Sequence, residues 1–194
     1  MAKTRFLVWI DLEMTGVDWN LDHPLEIAVV VTEVEAPCVE VACYESTILP
    51  EDPLWKNQMN EFVLNMHTVN GLITDCENNG LPSHVVEHRV IDMLKDIGPA
   101  NCFMMAGSNN TICDRRFVEM CMPNLNKWMK PEMHDVAVFR RGFVFCGRKD
   151  LDCYGQTLRG KKYHRSMPDI RDHLNEWRQY AVMIESFDRP PWED

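Results

Sequence analysis

The run Phe6-Leu7-Val8-Trp9-Ile10 leads straight into Asp11-Leu12-Glu13, and that juncture constrains the fold more than any other stretch of the chain. Five apolar, largely β-branched or aromatic residues in a row suit a buried strand. Side chains alternate along a strand, so the two carboxylates that close it leave from the same face, roughly 6–7 Å apart along the chain. Two uncompensated anions in that arrangement repel, and a cation is the electrostatic remedy. Oxygen-only donors with no cysteine beside them favour Mg²⁺ or Mn²⁺ over zinc. A solvated strand end can carry the same pair, so Asp-x-Glu alone leaves both readings open.

Two further stretches, Leu25 to Val34 and Val39 to Leu49, repeat the strand character with turn residues between them. Pro53 to Met66 sets Leu54, Phe62, Val63 and Met66 at roughly helical spacing, and the polar loop from His67 to Gly71 ends it. From Ser83, read as an N-cap, the positions Val86, Val90, Ile91, Leu94 and Ile97 follow the helical period until Gly98-Pro99. Cys102 to Ala106 is a short apolar strand, followed by a helix from about Thr111 to Met122 that Pro123 closes. His134 to Phe139 reads as a strand or a helix start, and Gly142 to Lys162 as a mobile loop. The last helix begins near Pro168 and sets Ile170, Leu174, Trp177, Ala181 and Ile184 on one face. The order predicts an α/β protein, a mixed sheet flanked by helices.

Length and composition then limit what this sheet can serve. At 194 residues the chain is expected to form a single domain, 1–194. Its purely apolar runs reach only five residues, against the ~20 of a membrane helix. The amino-terminal apolar stretch is too short for a secretory leader, so the expected setting is the cytoplasm. There the eight cysteines, none in a Cys-x-x-Cys pair, read as reduced and structural. The 20 basic residues against 30 acidic ones give a net charge of −10, which argues against coating long nucleic acid. A small phosphorylated substrate held through metal ions stays compatible with that charge.

Other carboxylates fit the first pair. Asp114 falls in the first turn of the helix after Ser108-Asn109-Asn110, where the helix dipole already favours an acid. Asp169 opens the last helix, with His164 five residues before it in the loop. Each alone is an ordinary capping or solvated residue. Together they form an ensemble: Asp-x-Glu on a strand, an Asp opening a later helix, and His-x4-Asp opening the last.

With the stretches Asp11-Leu12-Glu13-Met14-Thr15-Gly16, His23 to Ala28, His67-Thr68 with Gly71-Leu72, Asp114-Arg115-Arg116-Phe117 and His164-Arg165 with Asp169-Ile170-Arg171, the chain resembles the oligoribonuclease branch of the DEDDh 3′→5′ exonucleases. The resemblance runs in order from about Leu7 to Ile184. It implies a ribonuclease-H-like fold, two divalent metal ions, a homodimer, and short single-stranded oligonucleotides, RNA or DNA, degraded to 5′-mononucleotides. By the same resemblance Asp11, Glu13, Asp114 and Asp169 are the metal-binding carboxylates and His164 the general base. An imidazole with an ordinary pKa near 6.5 suits that work at neutral pH.

For substrate binding the resemblance implies backbone contacts from Met14, Thr15 and Gly16. It also implies a wedge at Val17, where the family usually has leucine, and stacking at Phe62, where it usually has tryptophan. His67 matches the family. Read from the residues alone, Phe62, Val63 and Met66 are equally a helix core. The family's phosphate-capping arginine and serine align with Glu132 and Ala137 in Glu132-Met133-His134-Asp135-Val136-Ala137, and its loop serine with Asn110. Losing a guanidinium clamp removes bidentate phosphate recognition. Either Arg140, Arg141 or a basic residue among 159–162 supplies the clamp, or longer strands are accepted, RNA or DNA.

Two rival readings differ in class. One is a non-catalytic nucleic-acid-binding dimer that keeps the fold, against which the four acids and His164 argue. The other is a zinc hydrolase, since His84-Val85-Val86-Glu87-His88 matches the H-x-x-E-H pattern. That helix already uses Val86, Val90, Leu94 and Ile97 for packing, which leaves His84 and His88 on its polar face.

Overall fold

The computed structural model describes residues 3–35, 39–109, 111–148, 150 and 164–186. Five strands, β1 Phe6–Met14, β2 Pro24–Glu33, β3 Glu40–Thr47, β4 Phe103–Gly107 and β5 Met129–Asp135, form one sheet in the order β3-β2-β1-β4-β5. β1 pairs antiparallel with β2, and β2 with β3, while β4 lies parallel to both β1 and β5. The helices are α1 Glu61–Val69, α2 Leu72–Asn79, α3 Ser83–Ile97, α4 Thr111–Cys121, α5 Pro123–Trp128, α6 Val136–Phe145 and α7 Ser166–Ser186. This is the ribonuclease-H-like mixed α/β architecture that the resemblance implies.

Alternation along β1 divides the core into two layers. Phe6, Val8, Ile10 and Leu12 pack with Val86, Val90 and Leu94 of α3 and with Phe117 and Val118 of α4. On the other face Leu7 and Trp9 join Ala28 and Val30 of β2 against Ile170, Leu174 and Tyr180 of α7. Each fully buried aliphatic side chain contributes about 1.5–3 kcal/mol, so β1, apolar on both faces, anchors both helix layers. The period-two rule then puts Asp11 and Glu13 on the α7 face, in line with Leu7 and Trp9.

The differences from expectation have local causes. β1 does not close at Asp11 and Glu13 but continues to Met14, because its ladder with β2 extends to Pro24. The stretch 53–66 is not one helix: a 3-10 turn at Trp55–Gln58 stops at extended Met59, and the Asn60 side chain accepts from Val63 N at 3.0 Å to start α1. His67 consequently lies inside α1 rather than in a loop. Ser83 is the first residue of α3, not its cap, which is Pro82 and offers no side-chain bond. Two short helices, α2 and α5, add to the expected elements. At 134–139 strand and helix meet, with Asp135 ending β5 and accepting from Ala137 N at 2.8 Å to cap α6.

α7 begins at Ser166, two residues before Pro168, and its buried stripe drifts: Tyr180 is fully enclosed while Ile184 is exposed. In the expected loop 142–162, Gly142 belongs to α6, and residues 149 and 151–162 lie outside the described residues, as does Asn110. No described helix is long and apolar enough to cross a membrane.

Candidate active site

Three elements bring the acids together. Asp11 and Glu13 come from β1, Asp114 from the first turn of α4 and Asp169 from the first turn of α7. All four line one cleft of about 270 Å³. Carboxylate oxygens of Asp11, Glu13 and Asp169 lie within 4.8 Å of one another. Asp114 closes the group from the side, where the Leu12 backbone N–H donates to its carboxylate.

The acids raise one another's proton affinity. Burial, then the charges of Asp114, Glu13 and Asp169, holds the Asp11 carboxyl well above the usual range. Burial, then the charges of Asp169, Glu26 and Asp114, push Glu13 up to about 8, with Arg165 opposing. Burial also pushes Asp114 to about 8, although the Leu12 N–H works the other way. Clustered carboxylates that cannot all ionise together fit divalent cations, and an all-oxygen set suits hard ones.

The walls come from the end of β1 with the turn that follows it, and from α1. Met14, Gly16 and Val17 form one side, and Phe62, Val63, Met66 and His67 the other. Phe62 is 72% exposed and Val17 is 73% exposed, so neither is core; both are apolar surface facing the cleft. His67 is fully buried, its Nε2 3.1 Å from the Met14 carbonyl and 3.9 Å from Glu13 Oε2, and burial lowers its pKa. A neutral imidazole therefore donates to Met14 O and fixes the end of β1. Thr15 is turned away: its hydroxyl donates to Asp22 Oδ1 at 2.9 Å and accepts from His23 N at 2.9 Å. A Cβ at Gly16 would meet Asp22 Oδ2 at 2.3 Å, so a larger residue there displaces the carboxylate that holds Thr15.

His164 lines the cleft beside Asp169. Its backbone sits in the left-handed region, at φ +48°, and Asn70 Nδ2 donates to its carbonyl at 2.6 Å. Arg165 places two nitrogens on Glu26 Oε1, Nε at 2.9 Å and Nη2 at 2.7 Å, and Nη1 lies 2.9 Å from Asp75. Glu26 Oε2 accepts from Ser166 N at 2.8 Å and so caps α7 from β2. Glu26, Asn70 and Asp75 had no role assigned from sequence. The available signal was Glu26 itself, a charge placed two residues after Pro24 and just ahead of the apolar run Ile27 to Val31.

Two other sequence expectations resolve by geometry. Arg140 does not offer a free clamp: its Nη1 pairs with Glu176 at 2.9 Å and its Nη2 with Asn109 Oδ1 at 2.7 Å. In the H-x-x-E-H stretch, His84 and His88 face solvent while Glu87 is buried, accepting from Asn124 N at 2.6 Å and Leu125 N at 3.0 Å. Glu87 caps α5 and points away from the two histidines, so the zinc reading fails.

Residues 8–176 match the family model described as Exonuclease (RNase_T). The chain is 30% identical over 184 residues to the oligoribonuclease of Cutibacterium acnes, covering 91% of this chain and 86% of that one. It is 31% identical over 181 residues to the Haemophilus ducreyi oligoribonuclease, covering 91% and 92%. Among solved structures, the zinc-bound E. coli ExoI–ssDNA complex superposes with a TM-score of 0.66 at 13% identity, over 95% of this chain and 42% of that one. E. coli exonuclease I with a dT13 oligonucleotide gives 0.65 at 12% identity, over 94% and 41%. The chain thus spans about two-fifths of those exonuclease I chains, and the likeness is one of fold.

Proposed function

This chain belongs to the exonuclease (RNase_T) family, in its DEDDh oligoribonuclease branch, and is a 3′→5′ exoribonuclease; from that premise we propose that it trims short single-stranded oligoribonucleotides to 5′-mononucleotides. The observation that carries the reading is the convergence of carboxylate oxygens from β1 and α7 within 4.8 Å, with Asp114 of α4 alongside. Asp11, Glu13, Asp114 and Asp169 would hold two Mg²⁺ or Mn²⁺ ions. When bound, such ions stabilise the charge that develops on the attacking and leaving oxygens of an in-line displacement.

The protein's own groups do the rest. His164 takes a proton from the attacking water as its oxygen bonds to the terminal phosphorus and the bond to the preceding 3′ oxygen breaks. The released 3′ oxygen is protonated from solvent. Val17 and Phe62 give the terminal bases two apolar faces across the cleft, a recognition that tolerates any base. His67 keeps Met14 and the β1 terminus in place beneath them. The reading includes a homodimer acting in the cytoplasm, which sedimentation velocity of the purified protein and localisation of the tagged chain would test.

A broader single-strand exonuclease, acting on RNA or DNA of many lengths, is the second reading. The engagement of Arg140 with Glu176 and Asn109 favours it, since no clamp for a 5′-phosphate then comes from that side chain. Incubating 5′-labelled RNA and DNA of about two to twenty nucleotides with Mn²⁺ or Mg²⁺ separates the two. A rate maximum at two nucleotides supports the narrow reading and length-independent rates the broad one. Substrate bound but never shortened would overturn both.

A further inference from the structure

His164 holds a left-handed backbone conformation, at φ +48°, that a residue with a Cβ avoids. Something must hold it there. The bonds around it supply the restraint: Asn70 Nδ2 grips its carbonyl at 2.6 Å, and the next residue, Arg165, is tied to Glu26 on β2 and to Asp75 on α2. Arg165 Nη1 also reaches the Asn70 carbonyl at 3.5 Å, so Asn70 is engaged through both its side chain and its backbone. Glu26 in turn holds the first amide of α7, the helix that carries Asp169.

We propose that Asn70, Arg165 and Glu26 form a positioning device that keeps His164 in its left-handed conformation with its imidazole at the cleft, linking the base to the α1–α2 corner. The inference rests on the reading of His164 as the base. Asn70 caps the carboxyl end of α1, whose Phe62, Met66 and His67 form a cleft wall. One residue therefore joins the apolar wall to the proton acceptor. None of the three touches the reacting atoms, so their effect falls on how often His164 is in place rather than on how tightly the strand binds.

The test is Asn70→Ala, with Arg165→Lys as the second variant, since lysine cannot bridge Glu26 and Asp75 with a planar fork. Steady-state kinetics on a labelled oligoribonucleotide with Mn²⁺ give kcat and KM, and a crystal structure of the variant gives the conformation at 164. The expected result is kcat lowered on the order of ten- to a hundredfold, KM within about twofold, and His164 released to negative φ. An unchanged kcat, a loss confined to KM, or His164 still at positive φ in a slowed enzyme overturns the proposal. If Asn70→Ala does not fold, the same outcomes are read on Arg165→Lys. His164→Ala separates the two levels. Full turnover in that variant removes the parent reading, whereas its inactivity beside a fully active Asn70→Ala removes only the positioning role.

Discussion

Glu13 on β1 and Glu26 on β2 are direct partners across the antiparallel ladder, two carboxylates on one face of the sheet. Like charges so placed destabilise a strand pair. The structure treats the two differently. Glu26 is engaged by the Arg165 fork and by the Ser166 amide, whereas Glu13 looks into the cleft, where burial and the charges of Asp169, Glu26 and Asp114 push it up to about 8. One of the pair builds the scaffold, and the other holds its proton until a cation takes its place.

Replacing a cleft acid should therefore separate stability from activity. Glu13→Gln and Asp114→Asn are each expected to stabilise the metal-free protein by about 1–2 kcal/mol at pH 8, because a repelled carboxylate is gone. Both should lose at least about a hundredfold in turnover. Urea unfolding without metal and single-turnover cleavage with Mn²⁺ check the two halves.

The same acids set a pH dependence. A carboxyl whose folded pKa is raised binds its proton more tightly in the native state, so stability is lost as pH rises from the ordinary carboxylate range through about 8. Between pH 6.5 and 8 the metal-free protein should weaken by roughly 1 kcal/mol per pH unit for each proton released. Mg²⁺ or Mn²⁺ should raise the melting temperature more at pH 8 than at pH 6, as thermal scans at fixed ionic strength would record.

His134 acts in the opposite sense at lower pH. Burial among Trp177, Phe139 and Trp9 lowers its pKa to about 4, with ring centroids at 4.3, 5.6 and 5.9 Å. Its Nε2 is buried without a hydrogen-bond partner among the described residues. A histidine with a depressed folded pKa gives stability that is lost as pH falls from 6.5 towards 4. His134→Phe should lose less on going from pH 7 to 4.5 than the parent, by about 1 kcal/mol or more in urea titrations.

Phe62→Ala should leave folding untouched, because the ring is 72% exposed. Loss of one stacked base is expected to weaken substrate binding about tenfold, read as KM or as Kd measured with Ca²⁺ in place of the active ion. An unchanged KM would mean that the ring meets no base.

Glu87→Ala should destabilise the protein by about 1–3 kcal/mol, since two backbone amides at the start of α5 lose their buried acceptor. His84→Ala and His88→Ala should change neither stability nor activity by more than about half a kcal/mol, because both face solvent. Melting curves of the three variants distinguish a helix cap from a metal site.

What the sequence determined by itself follows from local rules. The apolar run of β1, the period of α3, and the sheet face shared by Asp11 and Glu13 are set by side chains a few residues apart. The ordered motifs implied the family, and the cleft gathers the four acids and His164 that they nominate. Tertiary structure decided whatever depends on partners far along the chain. That Glu87 caps α5 rather than binding zinc, that Phe62 faces the cleft rather than the core, and that Arg140 is held by Glu176 are each settled by residues tens of positions away. Above all, Arg165 lies 139 residues from Glu26 in sequence yet bonds to it. A buried charge announces that it needs a counter-charge, and only the packed fold says which one answers.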